Sequence, residues 1–194
     1  MKKITYLLTG LFLFVAVNVV KAQASQECNI KYNLFKGNYV TKKYAEAKVD
    51  LEYLLTNCPK LSVNIYKLGA KIANKTNDHT LTKRIYEGRL VNFPNKGAAK
   101  AHSEYAKYLI KHKLASSDEV FLILEKAYEI SPKEMSVKNI FRYFTGITEK
   151  YKDTDPQKVF DTYDDVIESV QEKLDDYNVK IAKLQAKEEA GTID

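Results

Sequence analysis

Asp161, Asp164 and Asp165 stand at i, i+3 and i+4, the spacing that puts three carboxylates on one face of a helix. Such a group could hold a divalent cation or share a proton in acid–base chemistry. A cation site of this kind draws oxygens from several directions, usually around a loop that turns at a glycine, and no glycine accompanies these aspartates. Carboxylates in the early turns of a helix are also favoured by the helix dipole. The expectation is a solvated acidic face without metal, with Asp153 and Asp155 serving as turn and cap.

The other chemical groups point the same way. Of the three histidines, His102 and His112 lie ten residues apart, and neither they nor His79 has a second ligand at the offset a helical metal site uses. The seven glycines are isolated, so there is no phosphate-cradling loop, and there is no Gly-x-Ser-x-Gly. Neither cysteine has a histidine nearby in sequence, and the basic residues do not interleave with aromatics as in a single-strand nucleic-acid groove. We therefore expect no catalytic residue, cofactor, metal or nucleic-acid partner.

The two cysteines, Cys28 and Cys58, fit no zinc spacing. A disulfide is the expected state; the alternative is a pair of buried thiols acting as small apolar residues. A bridge closing a loop of about thirty residues would contribute roughly 3–4 kcal/mol in the chain-entropy view.

The compartment follows from the N-terminus. Lys2 and Lys3 precede a mainly apolar run from Ile4 to Val20, and Lys21-Ala22-Gln23-Ala24 offers an Ala-x-Ala exit. That order is a secretory signal over residues 1–24, with cleavage after Ala24 preferred to cleavage after Ala22. Cys28 follows Ser25-Gln26-Glu27, not the small residue a lipid-anchor site needs. An exported protein of the periplasm, the cell envelope or the exterior is expected, without membrane insertion once the signal is removed.

Charge is unevenly distributed. Residues 25–116 carry 17 Lys and Arg against 7 Asp and Glu, whereas residues 117–194 carry 11 against 18. One reading is a solvating coat on helices. The sharper one is a basic docking face for an acidic partner in the N-terminal half.

Positioning these residues requires helices. Gly and Pro are scarce, and apolar residues recur at helical spacing. The breaks predict helices over 28–38, 41–57, 61–75, 79–92, 97–113, 117–130, 133–151 and 156–187, which is an all-α chain of four helix pairs. Thr41, Ser116 with Glu119, Ser131 with Glu134, and Asp155 before Pro156 are the predicted caps.

The pairs carry a repeat. Tyr44, Ala47, Leu51, Leu54 and Pro59 resemble the second helix of a tetratricopeptide repeat. Ala127 with Pro132 matches the end of that pattern, and Leu68-Gly69, Tyr86 and Pro94 form a looser unit. Pro59, Pro94 and Pro132 are 35 and 38 apart, near the family period, while the usual tryptophan is missing. The stretches Asn57–Leu61, Ile65-Tyr66 and Val159–Val166 are similar to a group of exported tetratricopeptide proteins of Bacteroidetes bacteria. The resemblance implies a right-handed solenoid over residues 25–152, followed by a long helix and tail over 153–194. It also implies a non-catalytic protein-interaction scaffold of the cell envelope that binds a peptide or helix in its groove. Members of that group continue past the point where this chain stops, which suggests a shortened form.

Two sets of contact residues follow. First-helix positions face the concave side of such repeats, which selects Tyr66, Lys67, Tyr105 and Lys111. The chain has fourteen tyrosines, many on apolar helix positions, and packing with the hydroxyl reaching solvent is the plainer reading for most. The second set lies on the last helix, which is much longer than its neighbour. Its stripe of Tyr163, Val166 and Val170 continues at Tyr177, Ile181 and Leu184, past about residue 175, the limit of what the preceding helix can cover. Those three residues call for a further helix of the parent chain, a second copy or another protein. Oligomerisation through this helix, as a structural protein, is the alternative function.

Overall fold

The computed structural model describes residues 26–192, so the signal segment lies outside the described residues. Among the described residues every regular element is helical, and no helix is long and apolar enough to cross a membrane. The chain divides into two compact units at Pro94–Asn95.

The first unit holds α1 (26–40), α2 (Tyr44–Asn57), α3 (Val63–Lys75) and α4 (His79–Asn92). Ala47, Leu51 and Leu54 of α2, Ile65 and Ile72 of α3 and Ile85 of α4 are sealed from solvent together with Phe35 of α1. Ala47 and Gly69 are the small residues that let helices approach. A Cβ on Gly69 would sit 3.0 Å from the Leu51 side chain and 3.2 Å from that of Ile85, so glycine allows the close contact of α3 with α2 and α4 without shifting those methyl groups.

Polar ties fix the order. The Cys28–Cys58 disulfide forms, with Cα atoms 5.9 Å apart, and joins α1 to the end of α2. The buried carboxylate of Asp50 accepts from Lys31 and Asn38, both at 3.2 Å, holding α1 on α2 at two further points. Asp78 caps α4 by accepting from the Leu81 amide at 2.9 Å and pairs with Lys48 of α2 at 2.6 Å.

The second unit holds α5 (Ala98–His112), α6 (Ser117–Ile130), a 3-10 turn at Pro132–Glu134, α7 (Val137–Tyr151) and α8 (Pro156–Glu189). Leu124, Ala127, Met135, Ile140 and Ile147 form its closed core. α7 crosses the Phe121 ring at Gly146, where any Cβ would collide with that ring. Asn139 of α7 is buried and donates to both the carbonyl and the hydroxyl of Ser103 at 2.8 Å, which pins α7 to α5. Tyr143 stacks on Tyr128, and the Tyr128 hydroxyl meets Ser169 of α8 at 3.3 Å. Burial pushes the Tyr143 phenol up to about 12.

The capping box at Ser116 and Glu119 is present, and Asp155 caps α8 with Pro156 in the first turn. Two predicted caps are corrected. Thr41 does not start α2; it terminates α1, its hydroxyl donating to the Gly37 carbonyl at 2.9 Å. Ser131 does not start α7 either. The backbone turns through the 3-10 segment, buries Met135, and only then begins α7 with Ser136 as the cap.

The helix ends reveal a repeat stricter than the side chains. α1, α3 and α5 close on Lys42, Asn77 and Lys113, all in the left-handed region, with φ of 61°, 52° and 54°. Each closure carries a Schellman bond: Lys43 to Asn38, Asp78 to Ala73 and Leu114 to Leu109, at 2.8, 3.0 and 3.0 Å. α2, α4 and α6 end instead on Cys58, Phe93 and Ser131, each in a non-helical conformation and followed by proline. Three successive helix pairs thus share one punctuation.

Lysine is strained in the left-handed region, where glycine is not. Lys42→Gly and Lys113→Gly should each raise unfolding free energy by about 0.5 kcal/mol, glycine's larger unfolded-state entropy offsetting part of the relief; urea denaturation measures this. Hydrogen bonds from Lys48 and from the Leu81 amide hold the Asp78 carboxyl below the usual range. Its stabilisation is therefore complete above about pH 4 and is lost as pH falls through the lower folded value. Asp78→Ala should cost about 1 kcal/mol at neutral pH and flatten the acid limb of the stability profile.

Candidate interaction surface

The positions selected for chemistry remain apart. Asp161, Asp164 and Asp165 are exposed on α8, and Asp161 accepts only from Gln157, one turn back, at 2.7 Å. Among the described residues no His, Cys, Asp or Glu side chains are grouped so as to hold a metal ion. His102 is half-buried, and that burial lowers its pKa, favouring the neutral ring. His112 packs against the Tyr108 ring at 4.4 Å.

The expected concave-face residues divide. Lys67 and Lys111 are exposed, and Tyr105 is half-buried against the core of the second unit. Tyr66 is a correction. Its side chain is closed off beneath α4, donating to the Pro59 carbonyl at 2.9 Å and accepting from Asn92 at 3.0 Å. Its ring meets Phe93 edge-on. A Cβ on Gly88 would lie 2.9 Å from that ring, so glycine makes the room for it. First-helix spacing alone could not separate the inner from the outer side of α3, because both carry apolar residues.

α8 is different. It runs for 34 residues, roughly 50 Å, against an α7 of 15 residues. The covered face of α8 consists of Thr162, Val166 and Ser169, with Val159 and Val170 at its margin. Its last ties to the body are Glu172 to Lys133 at 3.1 Å and Lys173 to the Lys133 carbonyl at 2.6 Å. From Leu174 onward every described residue is exposed.

Tyr177, Ile181 and Leu184 lie together on this free portion, 52%, 51% and 56% exposed. Sequence reasoning placed Val166 in the same stripe, but Val166 is buried and belongs to the covered face. The exposed band instead takes in Phe160, Tyr163, Ile167 and Leu174, which were missed as surface residues. The signal was available: from Phe160 to Leu184 the apolar residues, Val170 included, are spaced alternately by 3 and 4. A groove of about 420 Å³ borders the band, with Asp164, Glu168, Glu172 and Asp175 in its lining.

Comparison with protein-family models and with curated proteins gives no match. The tetratricopeptide resemblance accordingly rests on the residues quoted above.

Tyr66→Phe should cost about 1–2 kcal/mol by leaving the Pro59 carbonyl without its donor. It should also leave the surface unchanged: a lower urea midpoint with unaltered far-ultraviolet dichroism is the expected result.

Proposed function

We propose that the protein is a non-catalytic interaction scaffold, exported to the cell envelope and working by binding other proteins through helical surfaces. The apolar band on the free portion of α8 carries this reading. Contiguous apolar surface of this kind is a feature of recognition sites, since leaving it in water is unfavourable. The disulfide supports an oxidising compartment, as does the signal-like N-terminal sequence. The repeated closure of three helix pairs supports an architecture of the tetratricopeptide type, whose stacked repeats bind peptides or helices along one face.

The basic character of residues 25–116 favours an acidic partner for the N-terminal half. Exposed lysines such as Lys67, together with Lys111 further along the chain, are its candidate contacts. Capture from an envelope extract should weaken when several lysines between 31 and 113 are reversed to glutamate, and should weaken with added salt. Capture indifferent to both changes would remove the electrostatic part of the proposal.

A further inference from the structure

The exposed band of α8 has the geometry of a coiled-coil seam. With Ile167 at an a position, Val170, Leu174, Tyr177, Ile181 and Leu184 fall alternately at d and a. Ile167 and Ile181 at a and Leu184 at d follow the combination that favours two parallel strands, from which Leu174 at a and Val170 and Tyr177 at d depart. Val170 is partly covered by the core, whereas the described residues from Leu174 onward are exposed.

The edges of the band determine what fits. On one side, at the g positions, stand Lys173, Lys180 and Lys187. The opposite side, at e and b, carries Asp175, Asn178, Gln185 and Glu189 and has no basic residue between 160 and 189. In a parallel pair the g edge of one helix faces the e edge of the other, so Lys173 and Lys180 meet the amides of Asn178 and Gln185 twice over, with the carboxylates of Asp175 and Glu189 behind them at b. In an antiparallel pair each edge faces itself, and lysine meets lysine. The segment 171–189 carries five acidic and four basic residues, so two copies are not kept apart by net charge.

We propose that this band binds a second copy of the same chain, forming a parallel, two-stranded coiled coil through α8. The proposal rests on the reading that the protein works through protein contacts and names the partner for this surface. The two helices supercoil from about Ile167 to Leu184, burying Leu174, Tyr177, Ile181 and Leu184 of both copies. Each body stays at the N-terminal end of its own α8.

Sedimentation velocity of the purified protein over a wide concentration range tests this. The expected result is a reversible dimer that becomes monomeric, with unchanged helicity in the body, when Tyr177, Ile181 and Leu184 are changed to Ser. The double variant Asn178→Lys, Gln185→Lys leaves the seam intact and should weaken dimerisation about tenfold by setting lysine against Lys173 and Lys180 on the facing edge. Spin labels at Ala186→Cys should report one short intermolecular distance for the parallel pair. A long distance, insensitivity to the added lysines, or a wild-type monomer overturns the proposal. A monomer that still captures an envelope protein, and loses it in the triple Ser variant, would overturn self-pairing while leaving the scaffold reading intact. A monomer with no such partner would remove both.

Discussion

A helix of 34 residues packed on one of 15 cannot bury its whole length against it, and this mismatch between α8 and α7 governs how much of α8 the second unit covers. The core closes over Thr162, Val166 and Ser169, and the last polar ties fall at Glu172 and Lys173. Beyond them the helix keeps its apolar residues without a surface to set them against. Burial of such residues ordinarily supplies the stability of a surface helix. A free portion that retains a regular seam, and flanks it with lysines on one edge and amides on the other, is chemically suited to another helix.

Both units are organised by their chain reversals. Alternate helices end in a left-handed residue that returns two amides to the last turn, or in a non-helical residue followed by proline. Both devices satisfy or remove backbone groups that a helix end leaves open. They recur in the same order through three pairs although the side chains diverge. Lysine occupies two of the three left-handed positions, which conceals the stop from a reading that looks for glycine.

Within each unit, a few buried polar groups select one packing among the many that apolar contact alone would allow. Asp50 draws Lys31 and Asn38 to itself, the disulfide fixes α1 near the end of α2, and Asn139 locks α7 on Ser103. The tyrosines act similarly. Tyr66 and Tyr128 use their hydroxyls to join elements and their rings to fill the space between helices. The abundance of tyrosine is therefore explained largely by packing.

Helix type, number and approximate limits were legible in the sequence, because apolar periodicity and capping chemistry are local. The pairing of Cys28 with Cys58 and the exposure of Tyr177, Ile181 and Leu184 were legible too, the latter because helix length follows directly from residue count. The cap at Thr41 was misread because α1 runs two residues further than its periodicity implied, and the start of α7 because Met135 is buried outside any helix. Tyr66 and Val166 illustrate what only the tertiary structure decides. Each sits at an apolar helical position indistinguishable in sequence from an exposed neighbour. Which side of a helix faces inward depends on where other helices lie, and that is set by contacts between residues far apart in the chain.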